Sequence, residues 1–259
     1  AIKIGVTPYL PRAVLQRSIA PLLAYLERRV HRRFELVVSD SYTQMMDALV
    51  KGQVDVADLT AYPFLLTQQR DPKIQPLATA VTESSKTYES YLVVPRESKA
   101  ERIGDVRGKR ICYVDSTSTS GYLMPRVMVR AAGFDPDRFF GSVQFSGNHY
   151  RALRDLLAAR CDVAAVTSGA YVSARRQHIP IANVRILKIS QPIPHGVFCA
   201  GSHVPRAVAR RIRAALLGFD VQRELGRKVL SDTLRFSGFD KPDAKAFASL
   251  AAEMARTRR

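Results

Sequence analysis

Short apolar runs of strand length alternate with longer stretches of helical spacing along almost the whole chain, which restricts it to an α/β fold. Residues 2–6 form the first such run. Val14, Leu15, Ile19, Leu22, Leu23 and Leu26 then recur at helical spacing, predicting a helix over 13–30 after a turn at 8–11. The pattern continues with a strand at 34–38 and a helix at 42–50 stopped by Lys51-Gly52. A strand at 54–59 and a helix at 62–69 follow. Residues 88–95 read as a strand, and beyond Arg107-Gly108-Lys109 the alternation restarts. It predicts strands at 111–114, 143–145 and 162–166, helices at 122–132 and 150–159, and a polar loop at 116–121.

The order strand–helix–strand–helix–strand thus occurs twice, with no sequence repeat between the halves. Strands at 186–189 and 197–200 flank the Pro-rich Gln191-Pro192-Ile193-Pro194, and a helix at 207–217 precedes further C-terminal helices. Two α/β lobes with two hinge crossings are expected, near 88–92 and 190–196. Residues 1–90 supply the first part of lobe 1 and 91–192 form lobe 2. Residues 193–259 return to lobe 1 with the C-terminal helices.

Composition removes other classes. With 46% hydrophobic and 24% charged residues in 259, the chain has the material for packed cores rather than disorder. No run approaches the roughly 20 apolar residues that span a bilayer, so it is not expected to be membrane-embedded. Lys and Arg outnumber Asp and Glu by 40 to 23, a field that concentrates anions. The arginines cluster on helical stretches, at 28, 29, 32 and 33 and again at 206, 210, 211 and 213. They lack the interleaved aromatics of a nucleic-acid surface, so no nucleic-acid partner is expected and the clusters read as solvated faces. Three cysteines, Cys112, Cys161 and Cys199, allow at most one internal disulfide. Their spacing suggests no zinc site, and no metal or other cofactor is expected.

The most informative segment is Val114-Asp115-Ser116-Thr117-Ser118-Thr119-Ser120-Gly121, placed after a strand and before a helix. A helix start offers unpartnered backbone N–H groups and a favourable dipole to an anion. An ordinary N-cap needs one hydroxyl, and this turn has five in a row.

These residues bring a resemblance with them. The chain resembles the phosphonate-binding family of periplasmic binding proteins from phosphate, phosphite and phosphonate ABC transporters. Besides the Ser118-Thr119-Ser120-Gly121 turn, the resemblance rests on Tyr42 within residues 41–53, Gly52-Gln53-Val54-Asp55-Val56-Ala57, residues 88–95 and Gly108-Lys109. It extends through Ser146-Gly147-Asn148-His149, Cys161-Asp162-Val163-Ala164-Ala165-Val166 and Pro192-Ile193-Pro194.

The resemblance implies a type II two-lobed periplasmic binding protein that captures a small oxyanion in the interlobe cleft by closure. It implies no enzymatic activity, an ABC permease as partner, and a periplasmic location after removal of a signal peptide. Carried over by position, Ser118, Thr119, Ser120 and His149 are the expected oxyanion contacts, with Tyr42 and Tyr88 on the facing side. His149 also reads as a helix-capping residue, and Tyr42 as a core aromatic.

Several positions depart from the family pattern. Asp58 stands where an aromatic is common, and Thr60-Ala61 where the family has Gly-Pro; both Asp58 and Thr60 remain candidate contacts. The acidic positions that recognise an amine fall near Ser168 and His195-Gly196, which disfavours an aminoalkylphosphonate. Asp58 would repel a dianion or require a protonated or neutral ligand. Cys112 reads either as a small buried residue or as a soft thiolate ligand. The thiolate reading resembles a family branch that senses arsenite for a histidine kinase, the alternative function and partner.

Overall fold

The computed structural model describes residues 1–82, 85–231 and 235–257. The chain starts with strand β1 (Ile2–Val6), helix α1 (Arg12–Val30), β2 (Phe34–Val38), α2 (Tyr42–Val50) and β3 (Val56–Leu59). Next come α3 (Ala61–Arg70), β4 (Gln75–Thr82) and β5 (Thr87–Tyr88). The middle third contains β6 (Ser90–Pro95), β7 (Arg110–Tyr113), α4 (Met124–Ala131), β8 (Ser142–Phe145) and α5 (His149–Leu157). It continues with β9 (Val163–Thr167), α6 (Ser168–Ser173), β10 (Val184–Ile189) and β11 (Ile193–Pro194). The last elements are β12 (Val197–Ala200), α7 (Arg206–Leu217), α8 (Val221–Leu225), β13 (Phe236–Asp240) and α9 (Ala244–Thr257).

Two compact units result. The first comprises 1–87 and 194–248, the second 88–193 and 249–259. The sequence-based divisions at 90 and 192 differ by a few residues from those at 87/88 and 193/194. The expectation that all of 193–259 returns to the first unit is corrected, since the last turns of α9 group with the second. The two chain passages, β5 and β11, pair as a two-stranded sheet.

The first unit is built on a six-stranded sheet in the order β13-β4-β12-β3-β1-β2. β1 pairs in parallel with β2 and β3, whereas β12 runs antiparallel to both β3 and β4. Its core joins Ile4, Val6 and Val56 of the strands to Leu15, Leu22 and Leu26 of α1, all buried. Strand β4 lies outside the elements expected from the sequence, and its Pro76 cannot donate to a ladder. The sheet accommodates it where the β12–β4 register shifts, with Phe198 opposite Ala78 and Cys199 opposite Pro76.

The second unit carries a five-stranded sheet in the order β10-β6-β9-β7-β8. Parallel pairing of β7 with β8 and β9 aligns their carboxyl ends, and antiparallel β6 brings its amino end beside the carboxyl end of β9, with Ser90 opposite Thr167. Leu92, Ile111, Val129, Phe139 and Val163 form the core beneath. In open α/β sheets ligands bind outside the carboxyl ends of the strands, so this edge positions the candidate site.

Candidate functional site

The hydroxyl segment follows β7. Asp115 starts the turn, its Oδ1 accepting from the Thr117 backbone N–H at 2.8 Å and from the Thr117 hydroxyl at 2.7 Å. Ser118 is extended and its Oγ accepts the Gly121 N–H at 3.0 Å, leaving its own proton to donate. Residues Thr119–Leu123 wind as a π-helical turn that runs directly into α4, and Leu123 N–H bonds to Ser118 O at 3.0 Å. Such turns concentrate at functional sites because they re-aim backbone groups. A Cβ at Gly121 would lie 2.5 Å from the Val114 side chain, so the turn closes this tightly only around glycine.

Ser118, Thr119 and Ser120 are 2%, 0% and 3% exposed. The Ser120 carbonyl accepts from Ser90 Oγ at 2.6 Å, and the Ser120 hydroxyl has no hydrogen-bond partner among the described residues. Buried hydroxyls left over after a turn is satisfied are what a site for oxygen-rich anions needs.

His149 opens α5 after β8. Ser146 and Gly147 extend the pairing with β7 through N–H bonds of 2.8 Å to Tyr113 O and Val114 O. Gly147 has φ +83°, which favours glycine, and Asn148 caps α5 by accepting Arg151 N–H. His149 is 2% exposed, and its Nδ1 accepts the backbone N–H of Thr167 at 3.2 Å. Burial pushes its pKa down to about 3. The imidazole is therefore neutral with its proton on Nε2, a fixed donor rather than a cation.

The capping alternative is removed for His149 itself, because Asn148 does the capping. The histidine and the hydroxyl turn stand at the carboxyl ends of the neighbouring strands β8 and β7.

Supporting residues that sequence reasoning missed hold this edge. Asp155 of α5 accepts from Ser146 Oγ at 2.7 Å, Gln144 Nε2 at 3.2 Å and Arg160 Nη1 at 2.7 Å. Thr167 orients the imidazole, Ser168 Oγ accepts Glu89 N–H at 3.2 Å, and Ser190 Oγ accepts Ser90 N–H at 2.9 Å. Only the abundance of Ser and Thr near strand ends hinted at them.

In the first unit, Asp58 lies on β3 between Val6 and Phe198 in the neighbouring strands. It is 6% exposed, and its carboxyl group has no hydrogen-bond partner among the described residues. Burial raises its pKa to about 7, so neutral and ionised forms coexist near neutrality. Thr60, half-buried, precedes α3 and offers its carbonyl to Phe64 N–H at 3.0 Å.

Gly196 packs against this turn, where a Cβ would sit 2.6 Å from Leu59 O. His195 bonds through Nε2 to Thr82 Oγ1 at 2.9 Å and is pushed down to about 4 by burial. Tyr42 is fully buried at the start of α2, and Tyr88 is half-buried in β5. Thus Ser118–Ser120 and His149 share one strand-end edge of the second unit, Asp58 and Thr60 share one turn of the first, and Tyr42 lies within the first unit's core.

Cys112 requires a correction. It is bonded to Cys161 in a disulfide, so it offers no thiolate to a soft ligand. The cause is sheet order: Cys112 pairs with Ala164 across β7 and β9, which brings Cys161 alongside, with a Cα–Cα distance of 5.8 Å. The remaining thiol, Cys199, is buried, bonds to Ala57 O at 3.5 Å, and has its pKa raised by burial and by neighbouring Asp58.

Known proteins resemble the chain in sequence and in fold. Residues 4–247 match the family model described as "ABC transporter, phosphonate, periplasmic substrate-binding protein". The phosphate-import protein PhnD of Mycolicibacterium smegmatis (strain ATCC 700084 / mc(2)155) is 29% identical over 114 residues. That stretch is 43% of this chain and 36% of that protein, so the match spans about a third of the relative's length.

PhnD1 of Prochlorococcus marinus (MIT 9301), solved in complex with methylphosphonate, has a TM-score of 0.87 at 15% identity, covering 99% of this chain and 98% of that one. The binding-protein component PA3383 of a Pseudomonas aeruginosa ABC phosphonate transporter reaches 0.88 at 17%, covering 99% and 86%. These likenesses show the type II periplasmic binding protein fold. The chain belongs to the phosphonate-binding family of periplasmic ABC-transporter substrate-binding proteins.

Proposed function

We propose that this protein binds a small tetrahedral oxyanion of the phosphate, phosphite or simple phosphonate class and presents it to an ABC permease. The observation that carries the reading is His149: buried, neutral, and held by Thr167 so that Nε2–H is a permanent donor at the same strand-end edge as the Ser118–Ser120 turn. A neutral donor set favours an anion by hydrogen bonding, without a counter-charge to be desolvated. Ser118 and Ser120 hydroxyls add donors at that edge, and Thr119 lies between them. Asp58 and Thr60 at the β3–α3 turn, with Tyr42 and Tyr88, are further proposed contacts. Asp58 suits a ligand that carries an O–H, because an ionised carboxylate repels a dianion.

Ser168 and His195-Gly196 supply no carboxylate for an ammonium group, so aminoalkylphosphonates are disfavoured. The arsenite reading loses its basis with the Cys112–Cys161 bond.

A thermal-shift and calorimetric screen of phosphate, phosphite, methylphosphonate, sulfate and arsenite tests the proposal. A ligand binding only the folded state stabilises it by about 2.7 kcal/mol at ~100 times its dissociation constant. At least one phosphorus oxyanion should do so, and arsenite should not. Ser120→Ala and His149→Gln should each weaken that binding at least about tenfold, the scale of one lost hydrogen bond to a charged group. Unchanged affinity in both variants would remove this site from the reading.

A further inference from the structure

The two arginine clusters, separate in the sequence, form one surface of the first unit. Helices α1 and α7 pack against each other. Tyr25 OH donates to Ala215 O at 3.0 Å, and Arg211 Nη2 donates to Val30 O at 2.6 Å. As α1 advances from 25 to 30 its neighbour in α7 recedes from 215 to 211, so the helices run antiparallel. The end of α1, followed by exposed Arg32 and Arg33, therefore lies toward the start of α7, where Arg206 and Arg210 are exposed and Arg213 half-buried.

Three of the surrounding acidic residues are already engaged, while exposed Glu35 follows two residues after Arg33. Glu27 accepts Phe34 N–H, Asp220 caps α8, and Glu224 pairs with Arg28 and Arg223. Among the described residues, Arg32, Arg33, Arg206, Arg210 and Arg213 have no carboxylate within ion-pair distance. Among the described residues, the exposed large hydrophobic side chains, Val143, Phe145, Val172 and Ile189, all belong to the second unit. The arginine surface thus offers charge without the apolar anchors that concentrate binding energy in a protein interface.

We propose that the α1–α7 arginine surface adsorbs the protein electrostatically onto an anionic phospholipid membrane. Guanidinium groups match lipid phosphates in charge and hydrogen-bond geometry, and each basic residue near such a surface adds attraction that salt screens. Adsorption would keep a transport receptor close to the bilayer.

Co-sedimentation of the full chain with phosphatidylcholine vesicles, with and without phosphatidylglycerol, tests this. Binding is expected only with phosphatidylglycerol and should be lost at high salt. The combined variant Arg32→Gln, Arg33→Gln, Arg206→Gln, Arg210→Gln and Arg213→Gln should partition at least about tenfold less, given the per-residue attraction. Its melting temperature should stay near that of the parent, because these side chains make no carboxylate pairs. A wild-type protein that stays in the supernatant with phosphatidylglycerol at low salt would overturn the proposal and leave an acidic protein as the surface's partner. Equal partitioning of the variant would overturn it as well.

Discussion

His149, His195 and Asp58 are buried groups whose proton affinities are moved in opposite directions, which makes the stability of the fold a readable function of pH. Burial lowers the histidines from an ordinary 6.5 to about 3 and about 4, and raises Asp58 from 3.8 to about 7. Between pH 4 and 6.5 the unfolded chain holds one extra proton on each histidine, while the folded chain holds one extra on Asp58. Two protons against one leave a net of one, so stability rises with pH at about 1.4 kcal/mol per unit at most.

From pH 6.5 to 7 only Asp58 differs, and stability falls until that carboxyl is ionised in both states. Chemical denaturation across pH should therefore show a maximum near 6.5. Asp58→Asn should steepen the acid limb toward two protons and abolish the decline above 6.5. An unchanged profile in that variant would show that Asp58 titrates normally. The hydroxyl residues and His149 were legible in the sequence, because five consecutive Ser and Thr exceed what a cap requires. The protonation state and tautomer of His149 were not, since the first depends on burial and the second on the Thr167 N–H, and both come only from tertiary structure.

The β7–turn–α4 element depends on Gly121 and on the disulfide below it. Gly121→Ala would place a methyl group 2.5 Å from Val114 and 2.9 Å from Ser118 Oγ, displacing the hydroxyl that caps the turn. Overpacking of this kind costs about 1–3 kcal/mol, and the variant should lose oxyanion affinity beyond what its lower melting temperature explains. The Cys112–Cys161 bond spans 49 residues and ties β7 to the start of β9. A loop of that size restricts the unfolded chain by about 4 kcal/mol in the chain-entropy account. Cys112→Ala with Cys161→Ala should lower stability by that order while leaving oxyanion binding measurable in the folded fraction. Loss of binding at temperatures where circular dichroism still reports a native fold would instead place the disulfide among the site's own determinants.

For the whole molecule, a net charge of +17 should accelerate capture of an anion. Stopped-flow association of the bound oxyanion should slow several-fold from low to physiological salt, with a smaller change in dissociation. A salt-independent association rate would mean that the charge is turned away from the ligand's approach. The sequence alone determined the α/β class and the two rounds of strand and helix, because apolar periodicity is local and each element needs one face buried. It also determined the hydroxyl turn and, through motifs spread over most of the chain, the family.

Tertiary structure alone decided four things: that β4 joins the sheet despite Pro76, that Cys112 meets Cys161, that Asp155 and Thr167 hold the edge of the candidate site, and that two distant arginine clusters become one surface. Each is a contact between different elements of the fold. Such contacts are set by strand order, register and helix packing, and these follow from the burial of the whole core rather than from any local run of residues.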